Sequence, residues 1–406
     1  MKTPEKMSAK IVLISHESML YGAPRSLSLI EQHLRSDYST RIVTFGRGDL
    51  VNDIQQSGGT VNIVSNCALY PDENAGTKIT ARVWRNILRI QRRICALWSF
   101  FSLLIFVRSS DLVYVNTVLR LSPILAARLL GKTVILHVRE AENYLQPTSR
   151  WQKQRLNMIL NGAQHIICVS SAVKQILLAN PDLKVKADNV SVVYNGISVS
   201  QFKNQSHSSP HLADELEIDK NAVLVGFVGN TTHRKGLDIF IEAAAGILKK
   251  SNNVHFVICG GTPDDLRPYK QSVETLQIGS HVHFLGFRHD ISSVLRDVDI
   301  FAMLSRCEPF ARVNLEASAM HCAIVATAVD GNVEIFKNGQ NAILIPSNNT
   351  QSVIDALLGL LSDQKHCQVL AQNAFETVEQ SFTLEKTHAE IQSIIEYTLM
   401  QTRAIS

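Results

Sequence analysis

The feature that most constrains this chain is a series of short, continuously apolar, β-branched segments separated by helix-length stretches. Lys10–Ser15, Arg41–Phe45, Thr60–Ser65, Asp111–Asn116, Thr133–Val138, His165–Ser170 and Val190–Tyr194 read as strands. Most lack polar alternation, which suits strands buried on both faces of a parallel sheet. Pro24–Leu34, Thr80–Val107, Pro123–Leu130, Arg150–Leu160 and Ser171–Ala179 supply the crossovers. This alternation predicts a doubly wound α/β domain. Ser198–Asn221 is polar, has few large apolar residues, and reads as a linker.

A second α/β series follows. Its strands are Ala222–Val228, Val254–Cys259, Val282–Leu285, Ile300–Leu304, Ile324–Ala328 and Ala342–Ile345. Its helices are Lys235–Leu248, Asp264–Leu276, Ile291–Arg296, Arg312–Met320 and Ser352–Leu361, and from about Lys365 the chain reads as helical throughout. Two such halves on one linker predict two domains facing a cleft, a common place for a ligand. The length of 406 residues fits two or three domains.

Composition narrows the function classes. With 45% hydrophobic and 19% charged residues, wholesale disorder is excluded. Forty Lys+Arg against 36 Asp+Glu give a mild +4, which argues against a nucleic-acid-coating protein. The 7 cysteines contain no C-x-x-C and predict buried free thiols in a reducing compartment. The polar stretch before Ile11 predicts no signal peptide. The apolar run Ile94–Val107 is shorter than the ~18–20 residues a membrane span needs. A cytoplasmic protein is expected.

Common phosphate and metal motifs do not fit. Ser15-His16-Glu17 follows the first strand where a G-x-G-x-x-G would stand. Gly131-Lys132-Thr133 ends a helix and precedes a strand, the reverse of P-loop order, and reads as a Gly-capped helix end. Asp297-Val298-Asp299 has D-x-D spacing but reads as a solvated turn before a strand, and the histidines show no metal-ligand clustering.

The strongest constellation is Ser305–Glu334, SRCEPFARVNLEASAMHCAIVATAVDGNVE. Glu308 and Glu316 stand as E-x7-E. Pro309 places Glu308 in a loop ahead of a helix starting near Arg312, with Glu316 at about its second turn. Backbone N–H groups near Phe310–Val313 are then available to an anion in the cleft. Leu315, Ala317 and Ala319 make the helix around Glu316 a largely buried one.

This segment resembles the donor-binding signature of the retaining GT-B glycosyltransferases of family four. Other landmarks of that family occur in order: Gly22-Ala23-Pro24-Arg25 after the first strand, DLVYVN at Asp111–Asn116, and His137 within ILHVRE. Val169-Ser170-Ser171, Asn195-Gly196-Ile197, FVGNTTHRKG at Phe227–Gly236, and Phe284–Phe287 followed by Asp290 complete the set. The resemblance runs from about residue 10 to 395.

It implies a GT-B architecture: two Rossmann-like doubly wound domains at 1–200 and 201–383, with a C-terminal helix at about 384–406 crossing back. It also implies metal-independent transfer of a hexose, with retention, from a nucleoside-diphosphate sugar to a hydroxyl of a glycan or lipid-linked acceptor. Cell-surface polysaccharide or lipopolysaccharide synthesis is the expected setting, and no cofactor is expected. By resemblance, His137, Glu308, Lys235 and Arg234 are the catalytic set. Gly22, Gly229, Gly261, Phe287, Arg288, Phe310, Ala311, Arg312, Val313 and Glu316 bind the donor. Lys235 and Arg234 suit a diphosphate leaving group. Glu316 would accept ribose hydroxyls.

The chain departs from the family pattern at Asn230, where Arg is usual, and at Ala311, where Gly is usual. His321 and Ala323 replace the Gly and Pro of a turn, and Asp330 replaces one of two glycines. Two alternatives stand beside the transferase: a catalytically weak relative acting as a membrane-associated scaffold, and a GT-B epimerase or phosphorylase. Finally, Arg82, Arg85, Arg89, Arg92 and Arg93 share a predicted helical face ahead of the apolar run. They are candidates for contact with an anionic membrane surface, or for the solvated side of a crossover helix.

Overall fold

The computed structural model describes residues 9–20, 22–64, 97–140, 142–206 and 209–405. The chain divides into two compact units. The first comprises Met1–Val169, Val173–Val193 and His388–Ser406; the second comprises Ser170–Ala172 and Tyr194–Thr387.

Unit 1 begins with β1 (Lys10–Ile14), α1 (Ala23–Leu34), β2 (Ser39–Phe45), α2 (Asp49–Gln56) and β3 (Val61–Val64). Residues 97–108 are helical and are called α3. Then come β4 (Leu112–Val115), α4 (Ser122–Leu129), β5 (Thr133–Val138), α5 (Glu142–Leu145) and α6 (Arg150–Leu160). β6 (His165–Cys168), α7 (Ser171–Ala179) and β7 (Val190–Val192) complete the run. The seven strands form one parallel sheet in the order β3-β2-β1-β4-β5-β6-β7. β4, β5 and β6 are buried at every residue, which is why their sequences show no alternation.

Unit 2 opens with α8 (Val199–Gln205), α9 (Leu212–Glu215), β8 (Val223–Val228), α10 (Leu237–Leu248), β9 (Val254–Cys259) and α11 (Pro263–Thr275). It continues with β10 (Val282–Gly286), α12 (Ile291–Arg296), β11 (Ile300–Met303), α13 (Arg312–Ala319), β12 (Ala323–Thr327) and α14 (Asn332–Ile335). β13 (Ile343–Ile345), α15 (Thr350–Ser362), α16 (Gln364–Ser381) and α17 (Leu384–Ile405) end the chain. Six parallel strands order as β10-β9-β8-β11-β12-β13. Both units are Rossmann-like doubly wound sheets.

The cores follow from the spacing. In unit 1, Leu27, Ile30 and Leu34 of α1 pack with Ile11, Leu13, Ile42, Tyr114, Ile135 and Ile167 of the strands. Ile391, Ile395 and Leu399 of α17 join the same cluster, so the last helix is part of the unit 1 core from His388 onward. In unit 2, Leu237, Phe240, Ile241, Ala244 and Ile247 of α10 cover Val225, Phe256, Ile258 and Ala302.

Two sequence readings need correction. The supposed linker at Ser198–Asn221 contains α8 and α9, because Phe202 and Leu212 each bury almost completely and anchor a short helix. Arg296 also donates to the carbonyls of Ser206 and Ser209, and Ser293 to that of Ser206. The C-terminal run is broken at Phe382, whose ring packs against Tyr194 and Phe310 while Thr383 starts α17 by accepting from the Lys386 amide. Of the helix expected at Thr80–Val107, only α3 lies within the described residues, and the five arginines lie outside them. Among the described residues, no helix is long and apolar enough to cross a membrane.

Candidate functional site

In unit 2 the strand order reverses between β8 and β11, so the loops leaving their C-terminal ends diverge and open a crevice. The loop after β8 runs to Gly236, which starts α10 at φ 74°. A Cβ there would lie 2.3 Å from the Leu304 carbonyl oxygen, so glycine is what lets the two loops pass. The Arg306 amide donates to the Arg234 carbonyl at 2.7 Å and ties them together.

These loops bring three charged residues to one point. Glu308 Oε2 accepts from Lys235 Nζ at 2.6 Å, Arg234 Nη1 at 3.0 Å and Ser305 Oγ at 2.9 Å. Glu308 is 5% exposed and Lys235 9%. Burial pushes the Glu308 carboxyl up, but the Lys235 and Arg234 charges and the Lys235 and Ser305 hydrogen bonds outweigh it and hold it below the ordinary range. Two cations thus share the Glu308 carboxylate. The Asp330 carboxylate accepts from the Glu308 amide at 2.8 Å and fixes the loop from the other side.

The helix that follows adds donors. Ala311 is the N-cap residue of α13, and its own side chain makes no capping hydrogen bond. Its backbone is extended (φ −76°, ψ 117°), a conformation any residue adopts, so Ala in place of Gly introduces no strain. Phe310 and Ala311 are buried, and Arg312 and Val313 open the helix. Glu316 is buried one turn in, its Oε1 3.9 Å from Arg312 Nη2. The turn between α13 and β12 needs a left-handed residue, which His321 supplies at φ 58°. Its ring stacks on Phe375 and lies 3.0 Å from Lys203 Nζ, so this replacement shapes the turn.

Other sequence-predicted donor residues lie on neighbouring loops of the same unit. The Gly229 amide donates to the Cys259 carbonyl, and Gly261 follows β9 at φ 80°, where a Cβ would meet Thr231. Phe287 after β10 is half exposed and meets His289 edge-on. Arg288 is committed elsewhere: its three nitrogens pair with Asp290 and Glu215 at 2.6–2.9 Å, and the Arg288 fork holds the Asp290 carboxyl well below the usual range. Asp297 accepts from the Leu212 amide and His211, and Asp299 from the Leu224 amide, so the D-x-D pair serves the backbone. Among the described residues, no group of three or more His, Cys, Asp or Glu is arranged to hold a metal ion.

Unit 1 has its own reversal between β1 and β4. Gly22 stands there at the start of α1 with φ 52°. His137 lies inside β5, 1% exposed, with Nδ1 2.5 Å from the Tyr114 hydroxyl and 3.2 Å from Arg139 Nη2. Burial, then the Arg139 charge, pushes its pKa well below the ordinary value. Arg139 Nε donates to Asn116 Oδ1 at 2.8 Å, and Asn116 Nδ2 donates to the Ala23 carbonyl at 2.8 Å. Next to it, Glu140 accepts from the Val118 and Arg139 amides, and burial lifts its carboxyl to about 7 against the backbone hydrogen bonds and the pull of His16.

Sequence reasoning missed Ser305, Asp330 as a Glu308 partner, and the Tyr114–Arg139–Glu140 group. A signal for the last existed: Arg139 and Glu140 directly follow the β5 strand, where ligand-facing residues of such sheets stand.

Two family models match the chain in tandem: Glycosyltransferase Family 4 over residues 28–201 and Glycosyl transferases group 1 over residues 208–377. The chain belongs to this glycosyltransferase family. Among curated relatives, an N,N'-diacetylbacillosaminyl-diphospho-undecaprenol alpha-1,3-N-acetylgalactosaminyltransferase of Campylobacter jejuni is 32% identical over 48% of this chain and 50% of its own length. A D-inositol 3-phosphate glycosyltransferase of Corynebacterium glutamicum is 28% identical over 51% of each. The matched stretch thus spans about half the length of these relatives. Among solved structures, Anabaena HepE in complex with UDP and glucose superposes with a TM-score of 0.79 at 21% identity, covering 96% of this chain and all of that one. WaaG, a glycosyltransferase involved in lipopolysaccharide biosynthesis, gives 0.68 at 15% identity, covering 95% and 99%. These likenesses establish the GT-B fold.

Proposed function

We propose that the protein is a retaining glycosyltransferase that moves a hexose from a nucleoside-diphosphate sugar to a hydroxyl of a glycan or lipid-linked acceptor, in cell-surface polysaccharide or lipopolysaccharide synthesis. The observation that carries this reading is the convergence of Lys235 and Arg234 on Glu308 at the β8/β11 reversal, beside the start of α13. When the sugar–diphosphate bond breaks, negative charge grows on the leaving group. Lys235, Arg234 and the α13 amides at Arg312 and Val313 are preorganised to meet it. The acceptor hydroxyl attacks the face the diphosphate is leaving, and its proton passes to a diphosphate oxygen, so configuration is retained. Glu308 keeps the two cations in register beside the reacting carbon. Glu316 takes the ribose hydroxyls, and Gly229, Gly261 and Phe287 border the nucleotide. In this reading no metal is required, because side-chain and backbone donors meet the diphosphate charge.

Relatives support the substrate classes. The name of the Campylobacter jejuni protein specifies transfer to an undecaprenol-linked acceptor, and HepE was crystallised with UDP and glucose. A thermal-shift series with UDP-, GDP- and ADP-sugars tests the proposal. The true donor stabilises the fold by about 2.7 kcal/mol at a hundredfold excess over Kd. No stabilisation by any of the three classes contradicts the reading.

A peripheral membrane position on the cytoplasmic face is the second part of the proposal. It is favoured by the outward face of α3, where Leu97, Trp98, Phe101 and Ile105 are each more than half exposed while Ser99, Leu103 and Val107 are buried.

A further inference from the structure

The sheet of unit 2 gathers three histidines at its edge. β10 is the outermost strand and pairs in parallel with β9, Val282 beside Phe256 and His283 beside Val257. Val254, Phe256 and Ile258 of β9 and Val282 of β10 enter the core of unit 2, so His255 and His283 are turned to the opposite face. There His255 Nδ1 and His283 Nε2 stand 2.9 Å apart, both residues partly exposed. His281, just ahead of β10, stacks on His255 with ring centroids 4.9 Å apart. Its Nε2 faces the Asn252 carbonyl at 3.2 Å and its Nδ1 the Ser280 hydroxyl at 2.9 Å, so its nitrogens are engaged elsewhere. The sequence shows no such clustering, because His255 belongs to a different strand from His281 and His283; the pairing of β9 with β10 creates it.

A hydrogen bond accounts for the pair as it stands, one ring donating and the other accepting. The same two nitrogens also suit a metal. With metal–nitrogen bonds of about 2.0–2.1 Å, their separation of 2.9 Å subtends about 90° at the ion. Tetrahedral zinc needs ligand nitrogens roughly 3.3 Å apart, whereas 90° is the cis angle of the tetragonal sites favoured by copper(II) and nickel(II). Burial, then the His281 ring, pushes the His255 pKa down; burial, then the His255 and His281 rings, does the same to His283. Both are therefore neutral ligands at neutral pH.

We propose that His255 and His283 form a two-imidazole site for a tetragonal divalent metal ion, copper(II) ahead of nickel(II), that clips edge strand β10 to β9. On binding, the ring that donates the shared hydrogen bond moves that proton to its other nitrogen. Each ring turns about its soft χ2 torsion until both lone pairs meet at the ion, and water completes the coordination. His281 supplies no third ligand, in keeping with the lack of any three-residue metal group among the described residues. The pair lies roughly 13 Å or more along the strands from Gly260 and Phe287 at their other ends, so the site is separate from the donor crevice and does not depend on the glycosyl-transfer reading.

The test is a copper(II) titration of the full chain, stripped with chelator, at about pH 7.5 in a non-coordinating buffer. The wild type takes up copper with a Kd of about 10 μM or tighter, and at one equivalent its electron paramagnetic resonance spectrum is tetragonal with coupling to two imidazole nitrogens. His255→Gln and His283→Gln each weaken binding at least about tenfold. Nickel(II) raises the unfolding midpoint of the wild type more than that of either variant, because the ion spans two strands. A wild-type spectrum without two coupled nitrogens, or either variant binding copper as tightly as the wild type, overturns the proposal. If a Gln variant does not fold, the corresponding Asn variant takes its place and the wild-type spectrum decides independently.

Discussion

Glu140 shows how a single buried carboxyl makes the fold pH-sensitive. Its pKa rises from 4.5 to about 7 on folding, chiefly by burial. The native state then binds more protons than the unfolded chain between these values, so this group's contribution favours folding below about pH 4.5 and is lost as pH rises through about 7. The full effect is up to about 3 kcal/mol. Urea unfolding at pH 5 and pH 8 should show the wild type losing more stability than Glu140→Gln over that interval, and equal losses would refute the assignment. The carboxylate at Glu308 behaves in the opposite sense. Its folded pKa is depressed, so its contribution is present above the unfolded value and disappears as pH falls through the folded one. Glu308 was legible in the sequence as the first Glu of E-x7-E, held in a loop by Pro309, and Lys235 through the resemblance of FVGNTTHRKG to the family's phosphate-binding loop. Tyr114 and Glu140 were not. Tyr114 passes for one more core residue of a buried strand, and nothing in ILHVRE says that the Glu turns back to accept the Val118 amide.

At the scale of elements, the thirteen strands of the two sheets were readable because each is a compact apolar run between polar turns. Of the short helices, α12 was read at its observed bounds, Ile291–Arg296, but α8 and α9 were not. α8 and α9 hang on one buried apolar residue each, too little to produce a period, and the segment looks like a linker. The structure predicts otherwise: Phe202→Ala should cost about 3 kcal/mol in urea unfolding, as for a core phenylalanine, whereas a true linker residue would cost close to nothing. For α3, sequence and structure give complementary halves of one feature. The run was recognisably apolar, but only the fold shows that Leu97, Trp98, Phe101 and Ile105 face outward. Replacing Trp98 and Phe101 with Ser should reduce flotation with anionic liposomes several-fold while leaving the unfolding midpoint nearly unchanged. Unaltered flotation would remove α3 from the membrane proposal.

For the whole molecule, the near balance of 40 basic and 36 acidic residues says nothing of where charges cluster. At the β8/β11 reversal two cations share the Glu308 carboxylate, beside the start of α13. Chain-wide composition cannot report such a site; strand order can, because it fixes which loops diverge. The substituted family positions fit this arrangement. Ala311 lies in extended backbone, His321 tolerates its left-handed turn, and Asp330 holds the Glu308 amide. The measurement that bears most directly on the account is single-turnover sugar transfer by the wild type, Lys235→Ala and Glu316→Ala. The account predicts that Lys235→Ala slows the chemical step by about a hundredfold or more and that Glu316→Ala loses donor affinity. Near wild-type transfer by both variants would contradict it.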